Sequence, residues 1–374
     1  MGDFVMNRLR VGVFAGGRSA EHEVSIASAE AVLRAIDRDR FEPYLVYIDR
    51  DGRWMLPDGP APILADGQTL AGLLGAASPA EEVARLQTHE EHALTAVLGD
   101  QGLAARAAVR SLGESIDVAF LVVHGPYGED GTLQGFLELA GIPYVGAGVM
   151  GSAVAMDKVV FKDLMRGHAL PVVAYTWFRR RAWESEPEHV VRQVAETIGD
   201  RSVVKPARLG SSVGMTLVHD LDELPSALDE AFRWDSKVIV EAYVEGAREL
   251  ECGVLGNEDP IVFAPGEVRS SHEFYDYEAK YVAGLATVEP RANVDSDLAA
   301  RLKELALAAY RAVDGAGLAR VDFLVTADDT FISEMNTLPG FTTTSMYPKQ
   351  AELAGIAFDE LIARLIHLAL ERER

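Results

Sequence analysis

The chain has 374 residues, enough for two or three domains with large cores. Its 48% hydrophobic and 25% charged residues are ordinary for a soluble globular protein, and a formal charge of -23 argues against nucleic acid, whose binding rests on basic contacts to phosphate. A single cysteine, Cys252, rules out an internal disulfide and fits a reducing compartment; with no secretory signal and no apolar run near bilayer length, a cytoplasmic location without membrane insertion is expected.

Residues 10–15 (RVGVFA) form a compact apolar run, the expected first strand of a parallel sheet, and lead through Gly16-Gly17-Arg18 into a helical pattern over 24–36. Strand, glycine-rich turn and helix open a doubly wound α/β domain, which gathers ligands at the carboxyl ends of its strands. The G-x-G-x-x-G spacing is absent, so no dinucleotide site is expected. Glu21, just after the turn, suits a cationic ligand group, or serves only as a first-turn acid favoured by the helix dipole. A second strand is expected at 44–49, with Trp54-Met55 across an Asp51-Gly52 turn. Residues 57–113 are rich in Ala, Leu and Gly and carry no readable motif; His89 and His92 within them read as surface residues. The next strand, 118–123, runs into HGPYGEDGT and puts His124 at the sheet's carboxyl edge, a place that favours a site role over a structural one. A helix follows over 133–139, and the turn-rich stretch 141–151 marks a domain boundary.

Met156-Asp157-Lys158 heads a helix, and a strand at 172–178 precedes a charged segment with helical spacing to about residue 197. The strand 202–205 ends at Lys205 and enters PARLGSSVGM, whose hydroxyls and backbone N–H groups suit phosphates, although a plain hairpin loop has the same look. Lysines occur only at 158, 162, 205, 237, 280, 303 and 349, and no Gly-Lys dipeptide exists, so a nucleotide is not held by a Walker A loop. Strand 238–243 carries Glu241, and 249–255 alternates with Glu249 and Glu251 on one face. Residues 269–286 hold four aromatics, Lys280 and several acids without periodicity, the mark of a functional loop or lid. An amphipathic helix over 296–313 leads to a hairpin, and a helix over 358–370 closes the chain.

That hairpin, RVDFLVTADDTFISEMN, carries the most chemistry. A turn centred on Asp328 sets Asp322 opposite Glu334 and Arg320 opposite Asn336, all on one face. Val321, Phe323, Val325, Phe331 and Met335 then face the core. Directly opposed carboxylates lie about 5 Å apart, which is unfavourable without a cation between them. Two carboxylates and an amide oxygen suit magnesium, which takes few protein ligands because phosphates supply the rest. A solvated edge hairpin is the plain alternative; the Thr-rich loop that follows, 337–345, favours a metal–nucleotide site.

Through GGRSAEHEVS, HGPYGEDGT, MDK, KPARLGSSVGM, VEAYVEGARELE, EFYDYEAKY, ARVDF and EMNTLPGFTTTS, in that order almost from end to end, the chain resembles the D-alanine–D-alanine ligases, which are ATP-grasp carboxylate–amine ligases. The resemblance implies an α/β architecture with an N-terminal doubly wound parallel-sheet domain over 1–148. Two α+β domains, 149–240 and 241–374, would enclose ATP. It implies two D-alanines joined through an acyl phosphate for peptidoglycan precursors, with ATP, two magnesium ions (or manganese in their place) and a homodimer. Lys158 and Lys205 would hold the α- and β-phosphates and Lys280 the γ-phosphate. Glu241, Tyr243, Val244 and Phe274 would surround the adenine and Glu249 the ribose. Asp322, Glu334 and Asn336 would bind the metal. Glu21, with His124 nearby, would take the first D-alanine, and Ser345 with the Met346 backbone the second carboxylate. Arg320 and the Gly340 N–H would stabilise the oxyanion, while Glu21, Ser211 and Tyr281 would form one hydrogen-bonded set. The chain departs from some members at Leu209 and Ala242.

A D-alanine–D-lactate ligase is the nearest rival, disfavoured by Tyr281 in the lid. Another ATP-grasp ligase of the glutathione-synthetase kind is disfavoured by HGPYGEDGT and GGRSAEHEVS. A nucleotide-binding regulator without catalysis is disfavoured because every metal and catalytic position is filled.

Overall fold

The structure, a computed structural model, describes residues 8–55, 59–65, 67–74, 112–113, 115–270 and 286–372. The first strand, β1 (Leu9–Gly16), is followed by helix α1 (His22–Ala35), β2 (Phe41–Ile48), β3 (Trp54–Met55), the short α2 (Leu70–Leu74) and β4 (Val118–Leu121). They form a sheet of order β3-β2-β1-β4, in which β1 pairs in parallel with both β2 and β4 and β3 runs antiparallel at the edge. A strand between two parallel neighbours is buried on both faces, which is why β1 reads as a continuous apolar run. Helix α1 lays Ile26, Ala29, Val32 and Leu33, one helical stripe, against it. The β1–α1 turn depends on Gly16: its φ is +89°, and a Cβ there would run into the Ile48 carbonyl.

Three helices come next, α3 (Thr132–Ala140), α4 (Val149–Met156) and α5 (Lys158–Gly167). Asp157 caps α5, its carboxylate accepting from the N–H groups of Val159 and Val160. The second sheet collects β5 (Tyr175–Arg179), β6 (Ser202–Pro206), β7 (Thr216–Val218) and β8 (Lys237–Ala242) in the antiparallel order β5-β8-β6-β7. Between its strands run α6 (Arg180–Ser185), α7 (Pro187–Thr197) and α8 (Leu224–Trp234). The buried Val190, Val194, Leu224, Leu228 and Phe232 of α7 and α8 cover one face of the sheet. The strand expected from residue 172 begins only at Tyr175.

The third sheet contains β9 (Arg248–Leu255), β10 (Ile261–Val262), β11 (Gly266–Ser270), β12 (Ala286–Glu289), β13 (Leu318–Val325) and β14 (Thr330–Asn336). Its order is β12-β11-β9-β13-β14, with β10 added to β9. Helix α9 (Ser296–Ala312) buries Leu302, Leu305, Ala306, Ala309 and Tyr310 against Leu250, Cys252, Val254, Val321 and Phe323. Each of the leucine, valine and phenylalanine side chains among them contributes about 1.5–3 kcal/mol when fully buried. Cys252 is fully buried among them, and burial pushes its thiol pKa up, in keeping with an inert core residue. Phe161 and Met165 of α5 join this core, so that helix packs with the third sheet although it precedes the second in the chain. The closing helices, α10 (Met346–Leu353) and α11 (Phe358–Glu371), send Tyr347, Leu361, Ile362, Leu365 and Ile366 into the core of the first sheet.

The β13–β14 hairpin has the expected pairing at its open end, Arg320 with Asn336 and Asp322 with Glu334. Nearer the turn the register shifts: Phe323 pairs with Ile332 and Leu324 with Phe331, leaving Ser333 as a bulge. One extra residue reverses the alternation beyond it. Ile332 is therefore fully buried and Phe331, expected in the core, is only half-buried.

Candidate active site

Strand β13 lies between β9 and β14, and the two registers set Glu251, Asp322 and Glu334 side by side across three strands. Three carboxylates in a row need cations. Arg320, two residues before Asp322 on the same face, donates from Nε to Asp322 Oδ1 (2.7 Å) and from Nη2 to Oδ2 (2.6 Å), with Nε 3.2 Å from Glu251 Oε2. Burial works against the guanidinium's charge, but Asp322 and Glu251 outweigh it and raise its pKa well above the ordinary value. Asn336 donates from Nδ2 to Asp322 Oδ2 at 2.9 Å, and Lys158 Nζ lies 3.3 Å from Glu334 Oε2. Among the described residues no three His, Cys, Asp or Glu side chains form a cage for a metal. Magnesium does not require one, since it binds through one or two carboxylates plus phosphate oxygens and water. The donor set of Asp322, Glu334 and Asn336, all oxygen-bearing, fits that ion.

Facing this row, β6 and β8 present Lys205 and Glu241, whose Nζ and Oε2 lie 2.8 Å apart. Lys162 Nζ approaches the other oxygen, Oε1, at 3.2 Å. Burial opposes ionisation of Glu241, yet Lys162 and Lys205 together pull its pKa below the usual range. Lys158 also donates to the Leu209 carbonyl (2.7 Å), which ties helix α5 to the loop after β6. That loop is braced at its base by Arg208, whose guanidinium and backbone N–H both donate to Asp235. At its tip Ser211 and Ser212 have φ of 50° and 58°, the left-handed region. Such turns point successive N–H groups to one side and favour anions.

The first sheet reaches the same place. Ser211 donates from Oγ to Glu21 Oε1 at 2.5 Å, so the loop is fastened to the β1–α1 turn. His124, buried at the end of β4, has Nδ1 3.0 Å from the Leu338 carbonyl and Nε2 3.2 Å from Ser28 Oγ. A carbonyl only accepts, so Nδ1 carries the proton; Ser28 Oγ accepts from the Phe341 N–H at 3.3 Å and gives its own proton to Nε2. Burial lowers the pKa of His124, which keeps this neutral tautomer. Glu129 accepts from the Gly125 N–H (2.6 Å) through one oxygen and from the Leu338 N–H (3.2 Å) through the other. Burial, helped by the charge of Glu21, pushes its pKa up to about 8. The loop 337–345 is thus strapped to the first sheet by His124, Ser28 and Glu129.

Two cavities meet here. One, about 270 Å³, is lined by Lys205, Glu241, Tyr243, Val244, Glu249 and Asp322. The other, about 430 Å³, is lined by Glu21, His124, Glu129, Asn336, Gly340, Ser345 and Met346. Lys158, Ser211, Arg320 and Glu334 belong to the walls of both.

The family description "D-ala D-ala ligase N-terminus" matches residues 10–147, and "D-ala D-ala ligase C-terminus" matches residues 164–367. The chain belongs to the D-alanine–D-alanine ligase family. It is 43% identical over 369 residues to the D-alanine–D-alanine ligase of Geobacillus thermodenitrificans, covering 98% of this chain and 97% of that one. To the D-alanine–D-alanine ligase of Deinococcus radiodurans it is 43% identical over 365 residues, covering 97% and 98%. Among solved structures it resembles the D-alanine-D-alanine ligase from Coxiella burnetii, with a TM-score of 0.74, 33% identity and coverage of 98% and 94%. It also resembles the VanG D-Ala:D-Ser ligase from Enterococcus faecalis, with a TM-score of 0.77, 31% identity and coverage of 97% and 100%. The three-sheet architecture is the ATP-grasp fold of these ligases.

Of the residues singled out from the ligase motifs, the described ones all line one cavity or both. Phe274, Lys280 and Tyr281, and with them the expected lid, lie outside the described residues, as do His89 and His92. Four side chains of this family member were not assigned from sequence: Glu251, Lys162, Glu129 and Ser28. Glu251 had a signal, the period-two spacing from Glu249, but its pairing with Asp322 spans two distant strands. No helix of the described residues is long and apolar enough to cross a membrane.

Proposed function

We propose that this chain joins two D-alanines into D-alanyl-D-alanine at the expense of ATP, releasing ADP and phosphate, for peptidoglycan precursors. What carries the reading is the wall shared by the two cavities, where Lys158, Ser211, Arg320 and Glu334 meet. A cationic, hydroxyl- and acid-lined chamber on one side suits a nucleotide; a chamber with Glu21 at one end and a helix N-terminus at Ser345–Met346 on the other suits amino acids.

In this reading Lys158 and Lys205 hold the α- and β-phosphates, with Lys280 taking the γ-phosphate from outside the described residues. Glu241, Tyr243, Val244 and Phe274 surround the adenine, and Glu249 takes the ribose. Asp322, Glu334 and Asn336 would hold two magnesium ions, or manganese in their place, which when bound neutralise charge on the phosphates. Glu21 takes the first D-alanine's ammonium, and the neutral His124 keeps loop 337–345 in place beside it. A carboxylate oxygen of that D-alanine attacks the γ-phosphorus and ADP leaves, giving the acyl phosphate. The second D-alanine, its carboxylate on Ser345 and the Met346 backbone, attacks the carbonyl carbon through its amine. Arg320 and the Gly340 N–H stabilise the oxyanion that develops. Phosphate then departs as the amine sheds its proton. Tyr281 completes a set with the Glu21–Ser211 bond. We assign residues 1–148, 149–240 and 241–374 to three functional segments, a cytoplasmic location and a homodimer to the protein.

ADP release with D-alanine, L-alanine or no amino acid, read together with product mass, tests the reading. ADP and D-alanyl-D-alanine only with D-alanine is the expected outcome. The likeness to the D-Ala:D-Ser ligase supports adding D-serine, and D-lactate beside it, in competition. D-alanyl-D-serine or the depsipeptide as main product would overturn the choice of second substrate, and no turnover at all would leave a nucleotide-binding regulator.

A further inference from the structure

Lys162 has no part in the reaction just set out, yet its side chain is 0% exposed. An ammonium without access to water needs a compelling set of partners. It stands one helical turn after Lys158 on α5, and both side chains reach β14: Lys158 to the Glu334 carboxylate, Lys162 to the Ser333 carbonyl at 3.1 Å. Ser333 is the bulge, the extra residue where pairing jumps from Glu334 to Ile332. A bulge leaves its residue out of the ladder, and here the carbonyl finds its donor in a lysine.

The second partner of Lys162 is Glu241, itself 2% exposed and shared with Lys205. Lys205 lines the nucleotide-side cavity, whereas Lys162 does not. A phosphate that draws Lys205 away would strip a buried carboxylate of one counter-ion, a costly change unless another remains.

We propose that Lys162 is a positioning residue for nucleotide and metal: it keeps Glu241 paired when Lys205 turns to phosphate, and it pins the Ser333 bulge that sets Glu334 opposite Asp322. The proposal rests on the reading that this cleft takes magnesium and a nucleotide. A lysine that merely filled the core would affect stability alone, so the test reads binding. ADP affinity is measured by titration calorimetry with and without magnesium on the parent, Lys162→Met and Lys162→Arg, beside the D-alanine KM and the helical circular dichroism. In Lys162→Met, ADP is expected to bind about tenfold more weakly or worse, and the gain from magnesium to shrink, because one partner of a buried charge is gone. The D-alanine KM stays within about twofold, since no substrate amino acid touches Lys162, and Lys162→Arg recovers part of the loss. Unchanged ADP and magnesium binding in a less stable Lys162→Met protein would overturn the proposal. So would an equal rise in the D-alanine KM, or loss of the helical signal in both variants. A parent that binds ADP yet forms no dipeptide would refute the ligase reading while leaving the Lys162 comparison legible; a parent that binds no ADP would refute the nucleotide reading itself.

Discussion

Arg320 carries two tasks on one guanidinium. It is the cation that permits Glu251 and Asp322 to sit side by side, and it lines both cavities, where an oxyanion would form. Removing a donor that acts only in the transition state lowers kcat and kcat/KM together. Arg320→Met at saturating magnesium is therefore expected to lose about 10²–10³ in kcat, the cost of one oxyanion-hole donor, measured by ADP release. A KM effect with kcat intact would contradict this role. Glu129 makes a different residue-scale prediction. Its pKa is pushed up to about 8 from an ordinary 4.5, so the folded protein holds a proton there that the unfolded chain has already released. Stability contributed by that proton is present below 4.5 and falls as pH rises towards about 8. The difference in unfolding free energy between the parent and Glu129→Gln should decline across that window and level off above it. A flat or rising difference, measured by urea titration at several pH values, would remove the assignment.

The hairpin of β13 and β14 holds its carboxylate-bearing face through a defect. Without Ser333 bulged out, the alternation that buries Ile332 would expose it or turn Glu334 from its place opposite Asp322. Ile332→Ala is accordingly expected to cost about 2–5 kcal/mol of stability in urea, as a filled core position does, and Phe331→Ala distinctly less. The reverse order would mean an unbulged hairpin. The same element shows what a sequence reveals and what it hides. Asp322 and Glu334 could be paired from spacing alone because both strands and their turn are contiguous. The bulge could not, since a serine at position 333 suits either register and only the packing of Ile332 decides. Glu251 joined the row through β9, about seventy residues away in sequence, where no local pattern fixes register. Lys162 carried no assignment from sequence, and nothing near it in the chain announced Glu241 or Ser333 as its partners. Helix α10 is short and weakly periodic and so is hard to read from sequence, whereas α8 was legible, since Leu224, Ala227, Leu228, Ala231 and Phe232 recur at helical spacing and are all buried.

Across the whole molecule, the cores divide differently from the chain. Leu318, Leu338, Phe341 and Tyr347, from the neighbourhood of the third sheet, are buried in one cluster with the first sheet and α11. The second sheet has its own smaller core around Phe178, Val190, Val204 and Phe232. What ties the second sheet to the rest is a small apolar patch, Val159 of α5 against Ala207 and Ile239, together with polar links: Lys158 to Leu209, Ser211 to Glu21, and Glu241 to Lys162. Polar links and a small apolar patch couple less strongly than a large shared apolar core. Calorimetry of the unliganded chain should therefore show two transitions, the earlier one belonging to the second sheet. A nucleotide seated between Lys205 on one side and Asp322 and Glu334 on the other adds its binding energy only while both sides are folded. At 100 times its dissociation constant, ADP with magnesium is worth about 2.7 kcal/mol. It is expected to raise the earlier transition until the two merge. In Glu334→Gln the magnesium-dependent part of that rise should vanish while the ADP part persists. A single unliganded transition would mean that these few links suffice to make the molecule cooperative, and a rise indifferent to both magnesium and Glu334 would separate the carboxylate row from the nucleotide.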